Sequence, residues 1–224
     1  MGDDLPTPAP GDRAAAPDRR RQRGDASAQR IIDATIDVIA DEGLAAVTMQ
    51  RVAARVGSSN ALVVFHFGSK DNLFRAVLQF LSDQFELLWA AMVRTPDKPP
   101  EQRLLAAIDC AQHFSRQHPN WVSAWVVFGS DRRTLQVDRM ISLPNDLTYK
   151  NEARALIEDV ARSYGYPDVD ADSLAESLNY LVQGAWYWDN ANPDAVQQGA
   201  LRKGALMLLS HVFPRHFSAD SSSD

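Results

Sequence analysis

Tryptophan placement is the first hint of chemistry in this chain. Trp121 and Trp125 stand four residues apart, so a helix carries both on one face together with Phe128. Trp186 falls at the edge of a later apolar stripe, beside Asn179 and Gln183. Three or four aromatic rings around one space hold a cation by attraction to their faces, as quaternary ammonium groups are held. A carboxylate strengthens such a site; Asp109, within an otherwise apolar stretch, is one candidate and Glu86 another. The plainer alternative is that the tryptophans fill a helical core and that both acids are exposed or ion-paired.

Metal chemistry has thinner support. Asp109 and His113 stand at i, i+4 and Cys110 and His113 at i, i+3, spacings that suit a helical metal pair, with His118 following at a helix end, but one such pair is common by chance. There is no Gly-rich phosphate loop, nucleophile elbow or HExxH sequence. No catalytic residue, metal or cofactor is therefore expected, and the chain is not expected to be an enzyme.

A second group of side chains is polar and clustered: Thr48, Gln50, Arg51, Ser58, Ser59, Asn60, His66 and Lys70, with Val64 among them. The segment that must position them is TMQRVAARVGSSNALVVFHFGSKDNLF, residues 48–74. Thr48 suits an N-cap, and Met49, Val52, Ala53 and Val56 then lie on one helical face, with Gln50 and Arg51 off it. Gly57 stops that helix, Ser59 caps the next, and Ser69 caps a third, whose apolar face begins at Leu73 and Phe74. Leu62, Val63 and Phe67 are expected to point inward. This is a helix-turn-helix, the arrangement that places a second helix in the DNA major groove; a pair of ordinary core helices joined by a glycine turn is the alternative.

Composition frames both groups. The chain has 224 residues, is 45% hydrophobic and carries a formal net charge of −6. That charge is unevenly spread. Residues 19–75 carry nine Lys and Arg against six Asp and Glu, while residues 76–224 carry thirteen against nineteen. The cationic part is the part with the DNA motif, as phosphate binding requires. One cysteine, Cys110, excludes an internal disulfide framework and suits a reducing, cytoplasmic setting. No apolar run reaches the ~18 residues of a membrane helix, and no secretory signal is evident.

The periodicity predicts an all-α chain of about nine helices. Residues 1–25 are expected to form a disordered Pro-rich arm containing the basic cluster Arg19–Arg23, either a solvated tail or an arm on DNA. Residues 26–72 form the helix-turn-helix domain, and residues 73–217 a larger helical ligand-binding and dimerisation domain. Residues 218–224 form a loose tail. Further helices are expected from near Ser69 to Arg94, from Glu101 to Gln117 and from Asn120 to Gly129. The next spans Thr134 to Tyr164 with an interruption at Pro144, and the last two span Asp172–Asp189 and Pro193–Phe213. Those last two are apolar on several sides, Leu201, Leu206, Met207, Leu208 and Leu209 running nearly around the final one, so they are buried on several sides. Gly199 and Gly204 would allow a close helix contact. A two-fold four-helix interface and a single large core both satisfy this.

From about Asp25 to Phe74 the chain resembles the N-terminal domain of the TetR family of one-component repressors. The resemblance rests on Ala34, Gly43, Thr48, Val52, Ala53, Gly57, Ser59, Phe65-His66-Phe67, Ser69-Lys70 and Leu73. Asn60, Ala61 and Val64 depart from the usual pattern, in which Lys or Thr, Gly and a phosphate-contacting Tyr are common. The predicted recognition helix also holds no Lys or Arg. Further on, Pro119-Asn120-Trp121-Val122-Ser123-Ala124-Trp125 and Leu181-Val182-Gln183-Gly184-Ala185-Trp186 resemble the effector domain of the BetI branch, the choline-responsive repressors.

The resemblance implies a homodimer through the last two helices, binding a palindromic double-stranded DNA operator and released by a small-molecule effector. It implies DNA contacts from Thr48, Gln50, Arg51, Ser58, Ser59, Asn60, Val64, His66 and Lys70. A choline-like or betaine-like cation is then expected among Trp121, Trp125, Phe128, Trp186, Asp109 and Gln183. A hydrophobic or aromatic drug or metabolite is the alternative effector; a helical enzyme or storage protein that binds no operator is the alternative class.

Overall fold

The computed structural model describes residues 12–217, with side chains described from Gly24 onward. Among these residues there are nine α-helices and no strand: α1 Asp12–Glu42, α2 Met49–Val56, α3 Asn60–Phe67, α4 Lys70–Met92, α5 Pro100–Gln117, α6 Pro119–Ser130, α7 Leu135–Tyr164, α8 Ala171–Ala191 and α9 Ala200–Val212. Short 3-10 turns stand at Leu44–Ala46 and Pro193–Ala195.

The boundaries around α2 and α3 follow from local chemistry. Thr48 Oγ1 accepts from the Arg51 amide at 3.0 Å, Ser59 Oγ from Leu62 at 3.2 Å and Ser69 Oγ from Asn72 at 3.2 Å, so three successive helices start on a hydroxyl cap. Gly57 closes α2 in the left-handed region, φ 70°, and its amide reaches the carbonyls of Ala53 and Ala54. A Cβ built there meets nothing within 4 Å, so only backbone strain opposes a side chain. Gly57→Ala is expected to cost about 1–2 kcal/mol in thermal denaturation, with Gly57→Asn losing less because Asn tolerates αL; equal losses for the two would show that αL strain is not what Gly57 relieves.

Two apolar cores are built on this frame. One gathers Ile31, Ile36 and Ile39 of α1, Val52 of α2, Val63 of α3 and Leu73, Phe74, Val77, Leu78 and Leu81 of α4. It does not stop at residue 72: it runs three turns into α4 and also takes Ala124 and Phe128 from α6. The other gathers Phe85 and Trp89 of α4 with apolar residues of α5, α7, α8 and α9, and Val122 of α6. Helices α4 and α6 therefore belong to both.

Three elements differ from expectation. Helix α1 begins at Asp12 rather than near Ala26, so the segment expected to be a disordered arm is helical from Asp12, with the cluster Arg19–Arg23 inside it. Ala and Arg are strong helix formers, and they extend a helix nucleated further on. Residues 1–11 of that arm and the tail 218–224 lie outside the described residues. Pro144 does not interrupt α7 but sits inside a 30-residue helix, leaving the Met140 carbonyl without its usual amide partner. Tertiary packing holds the helix across it: Asn145 Nδ2 donates to Ser82 Oγ of α4 at 2.7 Å, and Tyr149 is buried one turn on. Finally, α9 starts at Ala200, because Gly199 (φ 76°) ends the loop before it. Gly204 makes the expected close contact, its Cβ position lying 3.5 Å from Leu181 of α8.

Candidate nucleic-acid interface and ligand cavity

The first candidate site is the outer surface of α2 and α3. Val63 is fully buried and anchors α3 to the core, with Phe67 partly buried beside it. Facing away are Asn60, Ala61, Val64 and Phe65, one stripe at i, i+1, i+4 and i+5. Thr48, Gln50, Ser59 and Asn60 are exposed as expected, although the hydroxyls of Thr48 and Ser59 are occupied as caps. Val64 is 42% exposed. His66 is half-buried, its ring 5.4 Å from Phe65 and 6.1 Å from Phe67. The Ser58 hydroxyl is buried and lacks a hydrogen-bond partner.

The expected cations are less free than their positions suggested. Arg51 donates from Nε and Nη2 to the Glu42 carboxylate, at 2.7 Å from Nη2, and Arg55 reaches Asp41 at 2.9 Å. The Arg51 hydrogen bond holds the Glu42 carboxyl below its ordinary range. Lys70 folds back with Nζ 5.1 Å from the Phe74 ring centre, and burial pulls its pKa down, with Arg133 adding to the effect. Phe65 was not among the expected contacts, yet its ring is 81% exposed. Its place on the stripe with Asn60 and Val64 was the signal in the sequence.

The second candidate site is a cavity of about 80 Å³ enclosed by α4, α5, α6, α7 and α8. Phe85, Trp89, Trp125, Tyr149 and Trp186 supply its aromatic wall. Phe85 stands at its centre, 5.2 Å from Tyr149, 5.7 Å from Trp186 and 6.0 Å from Trp125. All three indole N–H groups are tied to protein acceptors. Trp89 donates to Glu152 at 2.7 Å, Trp125 to Ser142 Oγ at 3.1 Å and Trp186 to the Ala111 carbonyl at 3.2 Å. These bonds fix the orientation of the rings. Arg94, bridging Glu86 and Glu152, braces the Trp89 end.

Two charged residues line this cavity, Asp146 and Lys150. Lys150 Nζ is bonded to Glu176 at 2.7 Å, so the uncompensated charge on the wall is that of Asp146. Burial pushes the Asp146 carboxyl up to about 6, with the nearby negative charge of Asp138 adding to it. Asp138 is itself raised by burial, against a hydrogen bond from Ser142 Oγ at 2.8 Å. A second cleft of about 300 Å³ shares Trp125, Asp146, Gln183 and Trp186 with the cavity and has Asp138 in its wall.

The structure brings together Trp125, Trp186 and Gln183 of the expected ligand residues and separates the others. Trp121 leaves the cavity and stacks on His118 at 3.8 Å, also meeting Phe80 at 5.0 Å. Phe128 is fully buried on the other side of α6, 5.3 Å from Phe74. The reason is geometric: positions 121, 125 and 128 share a face only loosely, and α6 is packed on both sides. Asp109 forms an ion pair with Arg202 of α9, and Glu86 one with Arg94. Cys110 is buried, which pushes its thiol up to about 12 and leaves it unreactive. Among the described residues no group of three or more His, Cys, Asp or Glu is placed to hold a metal, and no helix is long and apolar enough to cross a membrane. Sequence reasoning missed Phe85, Trp89, Asp146 and Tyr149, whose spacing in the chain ties them to no common site.

Comparison with known proteins agrees with this architecture. Residues 31–77 match the family of bacterial regulatory proteins described as the tetR family. The transcriptional regulator BetI of Rhizobium meliloti is 29% identical over 157 residues, 70% of this chain and 74% of that protein. BetI 2 of Chromohalobacter salexigens is 26% identical over 193 residues, 84% of this chain and 89% of its own. A transcriptional regulator from Saccharomonospora viridis, crystallised in complex with choline, has the same fold. Its TM-score is 0.74 at 19% identity, covering 84% of this chain and 97% of that one. A capped helix-turn-helix whose residues 31–77 match the tetR-family model, on a helical body similar along most of its length to BetI regulators, makes this chain similar to TetR-family transcriptional regulators.

Proposed function

We propose that the protein is a ligand-controlled repressor that binds a palindromic operator as a homodimer and releases it when a small quaternary ammonium compound enters the body. The observation that carries this reading is the cavity: five aromatic rings and one uncompensated carboxylate, Asp146, around a space of about 80 Å³. Aromatic faces and a fixed negative charge favour a cation without a hydrogen-bonding shell. Relatives named BetI and a choline-bound neighbour of the same fold support the same ligand class.

Dimerisation is assigned to α8 and α9. Tyr180 (65% exposed) and Trp188 (57%) on α8 and Met207 (65%) on α9 are exposed apolar side chains on these two helices. Two-fold pairing across it sets two copies of α3 about 34 Å apart, one turn of DNA. The working division is a DNA-binding unit of residues 26–72 and an effector and dimerisation unit of residues 73–217, with α4 and α6 tying them together. Trp125 and Phe128 lie on α6, one at the cavity and the other in the core beneath α3. A ligand that binds one arrangement of α6 better than the other shifts the heads between two spacings, by no more than that difference in affinity.

The test is operator selection from a random duplex library by the full-length protein, followed by release with choline and related ammonium compounds. Trp125→Ala is expected to keep operator affinity within about twofold and to weaken the ammonium response about five- to thirtyfold, from a lost cation–π contact of about 1–2 kcal/mol. If that variant releases DNA at the same ligand concentration as the native protein, the cavity is not the effector site. If no duplex is enriched, the operator reading fails.

A further inference from the structure

We propose that α3 reads its operator through the 5-methyl groups of thymine, with Phe65 as the principal reader. This rests on the operator reading above and names the bases that reading leaves open. The outward stripe of α3 is Asn60, Ala61, Val64 and Phe65, and residues 60–67 include no Lys, Arg, Asp or Glu. The two cations nearest to it in sequence, Arg55 and Lys70, are committed elsewhere: Arg55 to Asp41, Lys70 over Phe74. No side chain on this helix can therefore make the two-pronged contact by which Arg or Lys selects guanine. The stripe offers instead a phenyl ring with an isopropyl and a methyl group beside it, and a single carboxamide at its first turn.

Phe65 is the most exposed large apolar side chain among the described residues, and its aromatic neighbour is His66, edge-on at 5.4 Å. It contributes little to the core that Val63 anchors from the opposite face. An isolated exposed ring is unremarkable, but this one continues a surface already formed by Ala61 and Val64, on the helix that a helix-turn-helix presents to DNA. In the major groove the thymine 5-methyl is the one apolar group on an unmodified base edge. Against guanine or cytosine the same ring covers O6, N7 or N4 without offering a partner, so those pairs are rejected as well as unrewarded. The Asn60 carboxamide suits the adenine N6 and N7 of the same kind of pair. The chemistry of the whole stripe is that of A·T steps.

The experiment uses the native full-length protein and a duplex it selects from a random library. Each thymine is replaced in turn by deoxyuridine, which deletes the methyl and leaves base pairing intact. At one or two positions per half-site the native protein is expected to bind about three- to fivefold more weakly. Phe65→Ala, which should fold because the ring is exposed, is expected to bind thymine and uracil duplexes equally at those positions, while Phe65→Leu retains part of the difference. A native protein that binds its operator but is indifferent to uracil at every position overturns the proposal. So does a Phe65→Ala variant with the native pattern of methyl dependence. A chain that enriches no duplex overturns the operator reading, and this proposal with it.

Discussion

Replacing Phe128 by Ala is expected to lower stability by about 3–5 kcal/mol, a large share of what a domain of this size holds in reserve. Phe128 is fully buried and meets Phe74 edge-to-face at 5.3 Å, so its ring joins α6 to the first turns of α4. Deletion leaves a void in the core that supports α3, and that core is already small. For a chain of this length such a loss lowers the melting temperature by roughly 10 °C. A second consequence separates this residue from an ordinary core position. Phe128→Leu restores most of the volume but not the aromatic contact, so it should keep the fold and blunt the ammonium-induced loss of DNA binding. Asn120 Nδ2, which donates to Asp37 of α1 at 3.0 Å, is a polar tether between α6 and the DNA-binding core. Thermal denaturation that moves by less than about 1 kcal/mol in Phe128→Ala would remove α6 from that core and with it the proposed route between sites.

The second large effect concerns Asp146. Its folded pKa is about 6 against an ordinary 3.8. Below about pH 4 the carboxyl is protonated whether the chain is folded or not, and it contributes nothing. Between about 4 and 6 the unfolded chain ionises while the folded protein keeps the proton, so stability falls as pH rises. Above 6 the folded protein holds a buried charge at a cost of up to about 3 kcal/mol. Asp146→Asn should therefore melt higher than the native protein at pH 7.5 and at the same temperature near pH 4. The same variant should bind quaternary ammonium ions more weakly, because Asp146 is the one carboxylate lining the cavity. In the native protein ammonium affinity should decline below pH 6 as Asp146 takes up its proton. A variant that becomes more stable yet less responsive marks a residue kept at a structural cost for its ligand. A melting difference independent of pH would contradict the buried carboxylate.

Much of the DNA-binding half was legible from residue types, because the signals there are local. Hydroxyl caps at Thr48, Ser59 and Ser69 and the left-handed Gly57 act within a few residues, and all four do what their types predict. The cations were read less well. Arg51 shows as a charge in the sequence, but its partner Glu42 lies nine positions away on another helix, and pairing is a tertiary fact. The ligand half was legible only in kind. Aromatic richness was evident, and Trp125, Trp186 and Gln183 do share one wall, but Trp121 and Phe128 turn out of the cavity. Asp109, the acid that looked out of place in an apolar run, meets Arg202 from 93 residues away.

The sequence by itself determined the helical class, the turn chemistry between residues 48 and 69, and the placing of positive charge on the DNA-binding segment, because each depends on neighbours within a turn or on simple counts. Only the tertiary structure decided which carboxylate faces the aromatic cavity, which arginines are already paired, and that α4 and α6 serve two cores at once. Those outcomes depend on which faces of distant helices meet, and helical periodicity fixes a face without naming what it packs against.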